Sequence, residues 1–158
     1  MAIDLICNTG PILALGKMGI LDRLPELELS IAFPKAVAQE LDTGVAAGFA
    51  IHRPQWIPVL DHSTSPLTAA SLDAGEAAVL DLALSLGVKL VCIDEWRGRR
   101  AAAALGLQAF GSLGLLGRMV RKGIVKDPQS CVDRALRNGV RYQPELLERF
   151  LEALQAES

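Results

Sequence analysis

Two polar residues, Asn8 and Asp94, directly follow short apolar runs at residues 3–7 and 90–93, where a strand would end. Open α/β proteins bind ligands at the carboxyl ends of their strands, so a polar side chain there can face a metal ion or a phosphate. Asn8 is equally consistent with a residue that begins a turn and hydrogen-bonds nearby backbone. Asp94 is the stronger candidate, because a carboxylate at a strand end needs a partner charge or a ligand. Its alternative role is to cap the next helix and pair with Arg97.

Two glutamates are candidates for the same edge, and each also has a local explanation. Glu40 lies on a predicted helix at residues 34–41, where a solvent-facing glutamate is the ordinary arrangement. Asp73 precedes Glu76 by three residues, which is the spacing of a helix cap that needs no active site. The helix that begins there follows a link back across the sheet and precedes the strand at Leu90. We therefore expect it to start at the carboxyl edge.

The charged residues are unevenly distributed, although the net charge is only −2. Between residues 61 and 95 there are six acids and one base, Lys89, whereas residues 97–126 hold seven bases and no acid. Carboxylates that bind a metal beside guanidinium groups that bind phosphate would suit a nuclease. A solvated helix face with no partner is the commoner meaning of such a charge run.

The composition indicates one folded domain. The chain has 158 residues, of which 51% are apolar, 22% charged and only 4% aromatic. So few aromatic residues disfavour a surface that binds nucleic acid by base stacking. Three cysteines without CxxC spacing indicate neither a disulfide framework nor a zinc site. No signal peptide is expected, and the most apolar window, residues 101–117, is short for a membrane span. A cytoplasmic protein is the resulting prediction.

Short apolar runs alternate with helical patterns, which is typical of βαβ units and a parallel sheet. Strands are predicted at residues 3–7, 29–33, 56–60, 89–93 and 108–110, the third being either an edge strand or only an extended link. Helices are predicted at residues 11–17, 34–41, 75–86, 97–105 and 113–122, followed by two more at 127–136 and 144–154. The fold class is therefore α/β, with right-handed crossovers placing helices on both faces of one sheet.

Five segments of the chain resemble, in their order and spacing, the PIN-domain family. They are NTGPILAL at residues 8–15, PKAVAQEL at 34–41, LDAGEA at 72–77, CIDE at 92–95 and GSLG at 111–114. The resemblance spans residues 3 to about 150 and is greatest to single-domain prokaryotic members with an added C-terminal helical pair. It implies a three-layer sandwich with a central parallel sheet. The whole chain would be one PIN-like domain, with an α/β core at residues 1–122 and C-terminal helices at 127–156.

The resemblance also implies an acidic site that binds Mg²⁺ or Mn²⁺. Carried over by position, its residues are Asn8, Glu40, Glu76 and Asp94, which would be both metal ligands and catalytic residues, while Ser112 would help to order the site and to bind RNA. The departure is Asn8, where nucleolytic members have aspartate. An amide oxygen can bind a hard cation but adds no charge to offset the dehydration of Mg²⁺.

The expected function is that of a metal-dependent endoribonuclease, a hydrolase whose activity is reduced by Asn8. Arg97, Arg99 and Arg100 would bind phosphates flanking the cleaved bond, which gives affinity but little sequence selection. Characterised family members are largely endoribonucleases and often toxins of toxin–antitoxin pairs. The predicted partners are accordingly RNA, an antitoxin protein and further copies of the chain, with no membrane. The alternative is an inactive PIN-like module that binds RNA or protein.

Overall fold

The apolar runs of the sequence form one sheet. The computed structural model describes residues 2–62 and 72–157, and within them the strands are β1 (Leu5–Cys7), β2 (Ile31–Pro34), β3 (Val59–Leu60), β4 (Leu90–Cys92) and β5 (Gln108–Phe110). All pairs are parallel, in the order β3-β2-β1-β4-β5. Both β1 and β2 are buried along their whole length. This burial is typical of the centre of a parallel sheet covered by helices.

The helices follow the predicted order. They are α1 (Thr9–Met18), α2 (Lys35–Ala46), α3 (Ala74–Leu86), α4 (Trp96–Ala104), α5 (Ser112–Arg121), α6 (Pro128–Arg137) and α7 (Pro144–Ala156). Helix α1 packs against α5 and α6, α2 packs against α3, and α7 packs against α5. The predicted α/β fold with a parallel sheet and C-terminal helices is confirmed.

Two local features differ from the expected pattern. The strand expected at 56–60 is only Val59–Leu60, at one edge of the sheet. Pro58 has no N–H to donate, although its carbonyl accepts a hydrogen bond from Phe33 N at 2.9 Å. A 3₁₀ helix at Leu21–Leu27 was not predicted. It contains Pro25, which cannot donate the backbone hydrogen bond of a regular helix.

The sheet order reverses between β1 and β4, and this switch point determines where polar side chains meet. Strand β1 lies beside β4 with Cys7 opposite Cys92. Asn8 continues the pairing, because its backbone N–H donates to the carbonyl of Cys92 at 2.9 Å. Asn8 and Asp94 therefore lie at the same carboxyl edge, on either side of the crevice that such a reversal creates. This shared edge confirms the predicted arrangement of the strand ends.

Candidate active site

Asn8 lies at the end of β1 with an unsatisfied amide oxygen. The residue is only 7% exposed, and its Oδ1 atom has no hydrogen-bond partner among the described residues. A buried polar atom without a partner is rare in folded proteins and requires an explanation. Gly75, in the first turn of α3, lies against this oxygen, since a Cβ atom at that position would lie 3.2 Å from Asn8 Oδ1. The β1 side of the crevice thus presents a neutral oxygen ligand.

Glu40 is exposed on α2, yet its carboxylate is directed to the end of β1. The hydroxyl of Thr9 donates to Glu40 Oε2 at 2.7 Å. The other oxygen, Oε1, would lie 2.5 Å from a Cβ atom at Gly75. The same glycine therefore allows both Asn8 and Glu40 to approach the start of α3. Glu40 is thus exposed, as the helix pattern allowed, but its carboxylate accepts a hydrogen bond from Thr9 and lies beside the start of α3.

Asp94 is held by the first residue of α5. Asp94 Oδ1 accepts hydrogen bonds from the backbone N–H of Ser112 at 2.6 Å and from its hydroxyl at 3.0 Å. Burial raises the pKa of Asp94 above its ordinary value, while the two bonds from Ser112 and the nearby charge of Arg99 act in the opposite direction. Asp94 Oδ2 makes no hydrogen bond with the rest of the described chain. One carboxylate oxygen is thus anchored and the other is free for a ligand.

Tyr142, in the link between α6 and α7, supports this anchor. Its hydroxyl forms a short hydrogen bond with the hydroxyl of Ser112. Because the single hydroxyl proton of Ser112 is donated to Asp94, Tyr142 must be the donor in this second bond. Burial raises the pKa of Tyr142, which keeps that proton in place. The residue was not predicted, since a lone tyrosine in a link gives no spacing signal.

Glu76 begins α3 at the same edge, and two local effects act on it. Asp73 caps the helix by accepting a hydrogen bond from the backbone N–H of Glu76 at 2.8 Å. The Glu76 side chain is only 6% exposed, and its Oε2 atom has no hydrogen-bond partner among the described residues. Burial raises its pKa to about 8, with further increases from Asp73 and Glu95 and a decrease from Arg97. The carboxyl group is thus mostly protonated at neutral pH unless a positive charge is supplied nearby.

The side chains at this edge suit a hard divalent cation by donor type. All of them offer oxygen, and two of those oxygens, Asn8 Oδ1 and Glu76 Oε2, are buried without a partner in the described part of the chain. Within residues 2–62 and 72–157, however, no three histidine, cysteine, aspartate or glutamate side chains lie close enough to hold a metal ion. A cation here would therefore depend on the Asn8 amide and on carboxylates from separate elements. The metal and catalytic roles of these residues stay predictions.

The three arginines predicted to bind nucleic acid have different surroundings. Arg99 donates to the carbonyl of Ile93 at 3.2 Å and forms a short hydrogen bond with the carbonyl of Asp94, which closes the end of β4. Arg100 lies over the ring of Trp96, 4.7 Å from its centre. Arg97 lies near enough to Glu76 to lower its pKa. Arg99 thus contributes to local structure, and phosphate binding by all three arginines stays a prediction.

Two expectations about the rest of the chain can be compared with the structure. Cys7, Cys92 and Cys131 are free and buried, which agrees with the prediction that the cysteines form no disulfide framework. In the described ranges, every helix is too short or too polar to cross a membrane. The antitoxin partner and the homo-oligomer stay predictions.

Comparison with known proteins identifies the family of this chain. A family model described as a PIN domain matches residues 4–156, nearly the whole chain. No curated protein and no solved structure matches it significantly. PIN domains are generally metal-dependent nucleases that use divalent cations. With its parallel sheet, its polar carboxyl edge and this match, the chain belongs to the PIN-domain family.

Proposed function

We propose that this protein is a metal-dependent endoribonuclease that cleaves RNA at the edge formed by Asn8, Glu40, Glu76 and Asp94. The observation that carries the proposal is a pair of buried oxygens, Asn8 Oδ1 and Glu76 Oε2, at the same edge as Asp94, which have no hydrogen-bond partner among the described residues. Such atoms are costly to bury unless a ligand satisfies them. The all-oxygen donor set supports Mg²⁺ or Mn²⁺ as that ligand.

The residues of the chain prepare this site in different ways. Ser112 orients Asp94 through two hydrogen bonds to Oδ1, which leaves Oδ2 available as a ligand. Glu76 supplies a carboxylate whose raised pKa, about 8, makes its deprotonated form depend on a nearby positive charge. Thr9 holds Glu40 beside the end of β1. A bound divalent cation supplies a water of lowered pKa and neutralises charge on the phosphate.

Asn8 limits the activity in this proposal. An aspartate at this position would add one negative charge, whereas the amide adds only a dipole. The three acids must then offset the cation's loss of water alone, and they are held by separate elements. We therefore propose weak cleavage with Mg²⁺ and stronger cleavage with Mn²⁺, which binds with greater affinity to such sites.

A cleavage assay on labelled single-stranded RNA tests the proposal. Wild type and Asn8→Asp are compared in Mg²⁺, in Mn²⁺ and in EDTA, with Mn²⁺ affinity measured by calorimetry. We expect EDTA to abolish cleavage, and Asn8→Asp to increase both cleavage and Mn²⁺ affinity by about tenfold, equivalent to about 1.4 kcal/mol. Equal cleavage by the wild type in EDTA and in Mn²⁺ would contradict a metal-dependent reaction.

A second candidate function is an inactive module that binds RNA or protein. The neutral Asn8 favours it, together with the lack of a three-acid cluster in the described part of the chain. The same assay separates the two. Wild-type protein that binds RNA but does not cleave it in Mn²⁺, together with an Asn8→Asp variant that does cleave, would establish a fold that lost its chemistry at one residue.

A toxin role is a finer form of the first proposal and is supported by the toxins among the family's endoribonucleases. It predicts that expression of the chain without a partner arrests growth. Asp94→Asn should relieve that arrest if RNA cleavage causes it. Arrest that persists with Asp94→Asn would contradict the role.

A further inference from the structure

A cleft of about 470 Å³ opens beside Asp94, and most of its far wall comes from the C-terminal segment. Helix α1 contributes Lys17 to the lining, and the segment from Val140 to Arg149 contributes the opposite side. This volume is within the roughly 300–1,000 Å³ of pockets that hold small ligands. The cleft is therefore large enough for a part of an extended polymer that reaches Asp94.

Three cationic side chains of the cleft make no stabilising polar contact within the described part of the chain. Lys17, Arg141 and Arg149 line it, and none of their side chains forms a hydrogen bond or ion pair with another residue in the described ranges. Elsewhere the chain does pair its arginines with acids. The pairs are Arg23 with Glu26 at 2.8 Å, Arg53 with Asp42 at 2.9 Å and Arg121 with Glu157 at 3.7 Å.

Within the described residues, the acids of the cleft form no ion pair with these three cations. Asp94, Glu95 and Glu145 line the same space. Asp94 is hydrogen-bonded to Ser112, and no ion pair joins the other two to a cation in the described chain. Arg99 also lines the cleft, but it donates to backbone carbonyls at the end of β4. Three cations therefore remain available to an anionic ligand.

Tyr142 connects the C-terminal segment of the cleft to Asp94 through Ser112. Its hydroxyl bonds to Ser112, which in turn bonds to Asp94. Arg141 is the adjacent residue in the chain, so its backbone is held by the same contact. The C-terminal segment is thus attached to the site through side-chain hydrogen bonds, which also places Arg141 and Arg149 beside Asp94.

We propose that this cleft binds the phosphates on one side of the cleaved bond, with Lys17, Arg141 and Arg149 as the phosphate-binding residues. The inference rests on the proposed ribonuclease function, because it makes RNA the ligand. Guanidinium groups bind phosphate with two parallel hydrogen bonds, and a lysine adds a point charge. Such contacts position a strand without reading its sequence. The C-terminal segment, rather than α4 alone, then directs the strand to Asp94.

Binding of a fluorescent 12-nucleotide single-stranded RNA in EDTA tests the cleft without cleavage. The variants are Lys17→Ala, Arg141→Ala, Arg149→Ala and the double arginine variant. Lys89→Ala is the matched control, because Lys89 is an exposed cation before β4, at the opposite edge of the sheet. The dissociation constant is measured at several salt concentrations, and thermal unfolding verifies that each variant is folded.

Each lost phosphate contact should reduce the salt dependence of log K by about 0.7 for a single strand. That slope corresponds to about fivefold weaker binding at 0.1 M salt for each residue and about 25-fold for the double variant. Lys89→Ala should bind within about twofold of wild type. Unchanged affinity and salt slope in folded cleft variants would overturn the proposal, as would a wild-type protein that binds no RNA.

Cleavage in Mn²⁺, measured in parallel, separates this proposal from the ribonuclease proposal. Cleft variants that bind and cleave like wild type would overturn the cleft assignment and leave the nuclease intact. Cleft variants that lose RNA binding in a protein that never cleaves would support the cleft and contradict the nuclease. If Lys89→Ala weakens RNA binding as much as the cleft variants do, the effect would come from net charge alone, and the cleft assignment would be overturned.

Discussion

The two sides of the crevice at the sheet reversal differ in how their polar groups are supported. On the β4 side, Asp94 Oδ1 receives two hydrogen bonds from Ser112, and Tyr142 supports that serine in turn. On the β1 side, the amide oxygen of Asn8 receives no hydrogen bond from the described residues, and among these residues only Thr9 holds Glu40. The β4 side therefore presents a carboxylate that is already oriented, whereas the β1 side places a neutral amide at the same edge. The comparison predicts that substitutions on the β4 side have the larger effects.

The largest effect is expected from Asp94→Asn. It removes a carboxylate that two hydrogen bonds from Ser112 orient, so cleavage in Mn²⁺ should fall by more than the roughly 10–100-fold typical of residues behind a metal ligand. RNA binding in EDTA should not weaken, because the variant removes a negative charge. Asp133→Asn, at an exposed acid on α6, serves as the control. If Asp94→Asn protein cleaves as fast as wild type, the β4 side does not have the larger effect that the comparison predicts.

The next effect concerns stability and pH at Glu76, which lies between the two sides. Its folded pKa, about 8, is above the ordinary value of 4.5, so the folded state holds an extra proton between these values. The contribution of Glu76 to stability is thus present in full below about pH 4.5 and is lost as the pH rises through 8. The full shift would correspond to roughly 5 kcal/mol, and screening by solvent makes the expected loss smaller than that.

Urea unfolding at pH 5 and pH 9 measures this effect. Glu76→Gln has no carboxyl group to ionise, so it should gain stability relative to wild type as the pH rises. Mn²⁺ should recover much of the wild-type loss at pH 9, because the cation replaces the proton. Parallel pH profiles for the two proteins would show that Glu76 is not buried as an isolated acid.

Two glycines give a matched steric test of the two sides. A Cβ atom at Gly111 would collide with Asp94 Oδ1, which is anchored, so Gly111→Ala should destabilise the protein by about 1–3 kcal/mol. A Cβ atom at Gly75 would meet the flexible end of Glu40 at 2.5 Å, which can move away. Gly75→Ala should leave stability within about 1 kcal/mol, since alanine also favours the helix.

The unfolding free energies of the two glycine variants check this contrast, and cleavage provides a second readout. Gly75→Ala should still reduce cleavage, because it moves Glu40 away from the start of α3. Equal destabilisation by both substitutions would show that the β1 side is as firmly held as the β4 side.

The smallest effect is expected from Tyr142→Phe. The ring still fills its space, but one hydrogen bond to Ser112 is lost, which is worth about 0.5–1.5 kcal/mol of stability. Ser112 then orients Asp94 less firmly, so the pKa of Asp94 should rise further. Carboxyl NMR titration measures that pKa directly. An unchanged Asp94 pKa would show that Tyr142 contributes packing but does not help Ser112 to orient Asp94.

Sequence patterns located most of the fold because they report local physics. The apolar run at β4, the Asp73 cap of α3 and Gly87 with φ 70° at its end each specify an element without distant contacts. The 3₁₀ helix and the two-residue β3 were harder to predict. A short 3₁₀ turn has no long amphipathic period, and the length of an edge strand depends on its neighbour's hydrogen bonds.

The site divides in the same way. Residue types and positions along the chain determined that Asn8 and Asp94 would each follow a strand, that Glu76 would begin a helix, and that Asn8 lacks a charge. Only the tertiary structure decided that Glu40 accepts a hydrogen bond from Thr9 and that Tyr142 bonds to Ser112. It also decided that one cation of α1 and two arginines of the C-terminal segment line the same cleft. These contacts join residues far apart in the chain. Their geometry depends on how whole helices pack, which no local spacing records.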